Sequence, residues 1–256
     1  MCCQDVEVTP APPTPAPSLA GLVVGVLGGT GEQGRGLARR LALAGQAVIL
    51  GSRDAGRADA ASASLALTSG DDGNGPDLGH GRVRGRVRGR VRGTDNASCA
   101  READLVIAAV PWAGHRDLLW SLRAELAGKV VVDCVNPLGF DKHGSFALDV
   151  EEGSACQQAQ AVLPESTVVG AFHHLSAVLL LDPAVDRIDT DVLVVGDDRS
   201  ATDLVQALAF RVPGMRGIYA GRLRNARQVE AITANLISVN RRYKAHAGLR
   251  VTDVRP

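Results

Sequence analysis

Residues 22–57 read LVVGVLGGTGEQGRGLARRLALAGQAVILGSRDAGR. The apolar run 22–27 closes on glycines. Leu37, Leu41 and Ala44 then recur at helical spacing. A second apolar run, 47–50, ends in Gly51, Ser52 and Arg53. Strand, glycine turn, helix and strand in this order open a dinucleotide-binding fold. Gly29, Gly31 and Gly34 fit G-x-G-x-x-G, and each has a mechanical task. Gly29 permits the tight turn off the strand, Gly31 lets backbone approach a pyrophosphate, and Gly34 lets helix and strand pack closely. The helix start offers unpaired N–H groups and the positive end of its dipole to phosphate. Glycines also punctuate ordinary turns, but the flanking strand and helix patterns favour the nucleotide.

The end of the second strand selects the nucleotide. An NAD site places an acid about 20 residues past the turn, to hold the ribose hydroxyls. Here stand Ser52 and Arg53, with Arg57 one helical turn on. A guanidinium suits a 2′-phosphate, so the sequence predicts NADP(H). Asp54 lies past the strand end and is expected to cap the next helix.

Working outward, the chain of 256 residues carries 28 basic and 28 acidic side chains. That balance gives no reason to expect a nucleic-acid or membrane partner, although six arginines crowd into 82–92. No apolar run is long enough to span a membrane. The first residues lack the basic start and apolar core of a signal peptide. The expectation is a soluble, cytoplasmic protein. Cys2, Cys3, Cys99, Cys134 and Cys156 fit no zinc or redox spacing, so no metal site is expected. Cys134 reads as a small core residue.

Residues 1–20 are proline-rich and read as a disordered leader. A helix is expected over 54–67. The segment 81–93 repeats Gly-Arg-Val-Arg and reads as a solvated low-complexity insertion, about 70–93 in all, whose end at 91–94 supplies a short strand. Lacking interleaved aromatics, it makes a poor polyanion site. Further strands are expected at 104–110, 129–134, 167–171, 191–195 and 217–219. Helices are expected at 97–103, 115–126, 154–163, 201–210 and 222–246, and 139–152 reads as irregular cover. The fold class is α/β, a doubly wound parallel sheet of Rossmann type with a smaller C-terminal part. The predicted division is a nucleotide domain over 21–175 and a smaller domain over 176–256. Ligands of such sheets bind at strand carboxyl ends. Val110, Pro111 and Trp112 should therefore face the cofactor, with Arg116 near the same edge. Asn136, Leu138 and the run from His173 to Ala177 lie at neighbouring strand ends.

These motifs together identify a resemblance. Residues 28–34 (GGTGEQG), 51–53 (GSR) with a basic residue at 57, Pro111-Trp112, 168–173 (VVGAFH), 196–198 (GDD) and 225–230 resemble the F420-dependent NADP oxidoreductases. These are NADPH-dependent reductases of the deazaflavin coenzyme F420, and the likeness runs from about 22 to 251. It implies hydride transfer between nicotinamide C4 and deazaflavin C5, with both molecules as co-substrates. It implies that Thr30, Gly31, Glu32 and Gln33 surround the pyrophosphate, and that Thr30, Ser52, Arg53 and Arg57 hold the 2′-phosphate. Val110, Trp112, Asn136 and Ala177 would line the nicotinamide end, and His173, Leu175 and Ser176 the deazaflavin ring. Ser176 departs from relatives that carry proline. No obligatory acid, base or nucleophile is implied. His173 reads either as a partner of a deazaflavin carbonyl or as a structural histidine. The resemblance also suggests a homodimer built on the C-terminal helix.

Two other readings share the same opening fold. An NADPH-dependent imine or carbonyl reductase would need a positioned acid, for which Lys129 and Tyr219 are available. A non-catalytic NADP sensor would use the last helix or the arginine repeat for a partner.

Overall fold

The computed structural model describes residues 17–65 and 90–254. Most of the expected leader and most of the arginine-rich insertion lie outside the described residues. Ten strands are present among them: β1 (Val23–Leu27), β2 (Ala47–Ser52), β3 (Val91–Asp95), β4 (Leu105–Ala108), β5 (Val130–Asp133), β6 (Leu138–Asp141), β7 (Gly144–Ala147), β8 (Thr167–Gly170), β9 (Thr190–Gly196) and β10 (Met215–Gly221). The helices are α1 (Glu32–Leu43), α2 (Ala55–Ser64), α3 (Asn96–Glu102), α4 (His115–Ser121), α5 (Arg123–Leu126), α6 (Ala155–Val162), α7 (Ala177–Leu181), α8 (Arg199–Phe210) and α9 (Ala226–Tyr243).

Eight strands form one sheet in the order β10-β9-β8-β5-β4-β1-β2-β3. All neighbours are parallel except β8 and β9. The order steps outward from β1 in both directions, which opens a crevice at the carboxyl ends of β1 and β4. The central strands β1 and β4 carry no polar side chain because both faces are covered. Leu105 and Ile107 of β4 enter one core, with Leu37 and Leu41 of α1, while Val106 and Ala108 enter the other, with Leu119 and Leu126. Full burial of each such leucine contributes about 2 kcal/mol. The segment after 176 supplies β9 and β10 to this same sheet.

Three local expectations are corrected. The segment expected to be irregular holds the hairpin β6–β7. Its turn forms because the Asp141 carboxylate accepts from the backbone of His143 at 2.7 Å and Gly144 at 3.1 Å, and Gly144 supplies φ +126°. The helix expected over 115–126 breaks at Leu122 into α4 and α5. The last helix ends at Tyr243, where Lys244 takes a left-handed conformation (φ +54°).

Candidate active site

The turn from β1 into α1 is built by close approach. Gly28 has φ +71°, and a Cβ there would lie 2.5 Å from the Ala109 carbonyl oxygen. A Cβ on Gly34 would lie 2.9 Å from the Gly28 carbonyl oxygen, so this glycine lets the helix rest on the turn. Gly29 N–H donates to the Gly51 carbonyl at 2.9 Å, tying the turn to the end of β2. No side chain caps α1, whose first residue is Glu32. Its first-turn amides are free for an anion.

A cleft of about 330 Å³ opens there. Gly28, Thr30, Gly31, Ser52, Arg53, Arg57, Val110 and Pro111 line it, bringing together residues from three strand ends. Asp54 caps α2 through the Arg57 amide at 3.0 Å. Arg53 and Arg57 are both exposed at the rim, and Ser52 is buried. Asn96, Ala109, Ala113, Gly114 and Leu118 also line the cleft and were not anticipated. Asn96 Oδ1 is buried and has no hydrogen-bond partner among the described residues. The helix-start amides and two guanidinium groups fit the phosphates of a dinucleotide, and the open Asn96 acceptor fits a donor such as a ribose hydroxyl or base amino group of the same molecule.

Other expected residues stand beyond this cleft. The Trp112 ring lies 5.7 Å from the His115 ring. Arg116 is paired with Glu152 at 2.7 Å. Leu138 begins the hairpin and is half-buried. Leu175 is buried, and Ser176 caps α7 through the Leu179 amide at 3.5 Å, ahead of Ala177. Gln33 and Asn136 turn toward the segment after β8. Gln33 donates to the Phe172 carbonyl at 3.2 Å, and Asn136 donates to the His173 carbonyl at 2.8 Å.

The His173 imidazole is 3% exposed and has Cys156 Sγ 3.6 Å from its Nε2. Burial pushes its pKa down to about 4, helped by the neighbouring His174 and opposed by Asp133. The ring is therefore neutral at neutral pH and has no proton to give as an acid. A buried network that the sequence did not reveal lies alongside. His115 Nε2 meets the Asp133 carboxylate at 2.7 Å, and its Nδ1 meets Gln158 at 3.2 Å. Burial opposes charge on His115, but Asp133 and Gln158 outweigh it and raise its pKa. Glu230 accepts from the Ala155 and Cys156 amides at 3.0 and 3.1 Å, capping α6, and burial raises its pKa. Asp133, Cys156 and His173 hold ligand-type atoms within 4.8 Å of one another. Asp133 already engages His115 and the Val135 amide, and Cys156 is held as a thiol because burial raises its pKa. The cluster is a hydrogen-bonded core.

Neither residue available to an imine reductase lines the cleft. Lys129 Nζ donates to the carbonyls of Ala100, Arg101 and Ala103 at 2.6, 2.8 and 2.7 Å, at the amino end of β5. Tyr219 is 51% exposed on β10, the last strand of the sheet.

Residues 23–137 match the family model described as "NADP oxidoreductase coenzyme F420-dependent". The F420-dependent NADP reductase of Methanothermobacter marburgensis is 38% identical over 237 residues, covering 90% of this chain and 98% of that protein. The enzyme of the same name from Methanocaldococcus jannaschii is 34% identical over 234 residues, covering 90% and 98%. A crystal structure from Arthrobacter sp. FB24 superposes with a TM-score of 0.68 at 25% identity, covering 91% of this chain and 100% of that one. An imine reductase from Streptomyces aurantiacus reaches a TM-score of 0.51 at 19% identity, covering 85% and 61%, which is a likeness of fold alone.

Proposed function

The chain belongs to the F420-dependent NADP reductase family, and we propose that it catalyses reversible hydride transfer between NADPH and the deazaflavin coenzyme F420. The observation that carries this reading is the identity of 38% across 98% of a reductase of that name. The cleft supports the nucleotide half of it. Thr30 and Gly31 at the start of α1 would take the pyrophosphate, and Ser52, Arg53 and Arg57 the 2′-phosphate. Nicotinamide and deazaflavin both exchange electrons in pairs and bring their own electronics.

What the chain contributes is placement. Val110, Trp112, Asn136 and Ala177 would bound the nicotinamide, and Leu175 and Ser176 the deazaflavin, with residues 176–256 completing that side. Two rings held at near-attack distance, with water excluded, need no nucleophile from the protein. The neutral, inward-facing His173 ring supports a structural task for that residue. Its backbone carbonyl, rather than its imidazole, meets the residues around the rings. The commitment of Lys129 to three carbonyls weighs against an imine reductase.

We further propose a cytoplasmic homodimer. No helix among the described residues is long and apolar enough to cross a membrane. Val239 and Tyr243 of α9, exposed to 37% and 73%, are apolar surface that a second copy would cover. Sedimentation of the purified protein tests the dimer.

The activity is tested by mixing the protein with NADPH and oxidised F420 and following the deazaflavin absorbance, with NADH as control. Bleaching with NADPH and much less with NADH is expected. NADPH binding without bleaching would overturn the reductase reading in favour of a sensor.

A further inference from the structure

Directly after β8 the chain makes a turn that its own sequence does not favour. Phe172 is 1% exposed and has φ +64°, a left-handed conformation rare for a bulky side chain. Such a residue costs free energy and persists where its surroundings over-determine it. The structure supplies those surroundings on both sides. The Phe172 carbonyl accepts from Gln33 Nε2 at 3.2 Å. The next carbonyl, that of His173, accepts from Asn136 Nδ2 at 2.8 Å and from Thr233 Oγ1 at 3.3 Å. Thr233 Oγ1 also lies 3.5 Å from Asn136 Oδ1.

The three holders come from three parts of the chain. Gln33 is in the first turn of α1, beside the pyrophosphate cradle. Asn136 follows β5, and Thr233 lies in α9. The segment they hold leads directly into Leu175, Ser176 and Ala177. We propose that Gln33 and Thr233 are positioning residues for hydride transfer. They fix the left-handed turn at Phe172 and His173 against the nucleotide helix and thereby set the separation of the two reacting rings. This rests on the reading, given above, that Leu175 and Ser176 border the deazaflavin and Ala177 the nicotinamide.

Thr233 gives the cleaner test because it does not line the nucleotide cleft. Thr233→Val keeps the shape and removes the hydroxyl donor. Thr233→Ser keeps the donor. The measurements are kcat, KM for NADPH, the thermal midpoint, and the kinetic isotope effect on kcat with NADPH deuterated at the transferring position. Because small misplacement of reacting groups is costly, kcat of Thr233→Val is expected to fall about tenfold. KM for NADPH should stay within about twofold, and the isotope effect should rise as hydride transfer becomes the slow step. Thr233→Ser should restore both. Gln33→Leu should lower kcat as well, and the double variant should lose less than the product of the two single losses, since both side chains hold one turn.

A Thr233→Val enzyme with wild-type kcat and isotope effect would overturn the positioning role. So would a lowered thermal midpoint with an unchanged isotope effect, because the hydroxyl would then serve the fold alone. If the wild-type protein itself oxidises no NADPH with F420, the activity reading falls and the positioning role falls with it.

Discussion

Acidification is expected to unfold this protein through His173, and the magnitude follows from its burial. The ring is 3% exposed, its Nδ1 has no hydrogen-bond partner among the described residues, and its pKa drops from 6.5 to about 4. A base whose folded pKa is depressed stabilises the fold fully above its unfolded value. That stability is lost as pH falls from about 6.5 through about 4, because the unfolded chain binds the proton first. In this window one proton is taken up on unfolding, a slope of about 1.4 kcal/mol per pH unit. Over the whole interval this amounts to about 3 kcal/mol.

His115 does not obscure the effect. Its raised pKa gives stability that is complete below 6.5 and is lost as pH rises through the folded value, so it is flat in this window. The buried His174 is depressed too, and the carboxylates of Asp95, Glu152 and Asp191 lose their stabilised charge at the acid end. These groups are common to wild type and His173→Gln and cancel in their difference. The assay is urea unfolding of both proteins at half-unit steps from about pH 7.5 to about pH 4. The wild-type free energy should fall more steeply by about one proton's worth of slope. Parallel curves would refute the placement of His173 as a neutral ring sealed in the core.

Arg53→Ala and Arg57→Ala should each raise KM for NADPH while leaving KM for NADH nearly unchanged. A charge-assisted hydrogen bond is worth roughly 1.5–3 kcal/mol, so the double variant should lose about two orders of magnitude of NADPH preference; steady-state kinetics with both nucleotides checks this. Arg40→Met should destabilise the fold by roughly 3 kcal/mol, because Arg40 is buried and donates to the carbonyls of Leu179, Leu180, Asp182 and Val185 around the end of α7. Denaturant unfolding would show the loss, and a change within about 0.5 kcal/mol would mean that water replaces the guanidinium there.

The nucleotide half was legible because its signals are local. Gly29, Gly31 and Gly34 lie within one turn, and Arg53 and Arg57 sit one helical turn apart. Strand periodicity around them needs no distant partner. The same locality exposed the Asp54 cap and the short strand at Val91–Asp95. What the sequence hid depends on contacts across the chain. His115 and Asp133 are 18 positions apart and meet only once α4 lies over β5. Thr233 and His173 are 60 apart. Arg40 reads as an exposed helix arginine until α7 arrives beneath it. The hairpin β6–β7 escaped because its strands are four residues each, too short for alternation to stand out. Asn96 carries only a weak signal in sequence: it follows a strand end, on the side where ligands of such sheets bind.

Helix α1 does two jobs at its two ends. Its amino end opens on the cleft, and Arg40 near its other end grips α7, against which Gly36 also packs closely. Twelve residues make a rod of about 18 Å. On the proposed reading both co-substrate walls hang from one strut, so a tilt of that strut would move them in concert. The spacing of the two proposed ring sites is then written into the length of one helix. An engineer who retunes the nucleotide side through α1 must expect to shift the opposite wall as well.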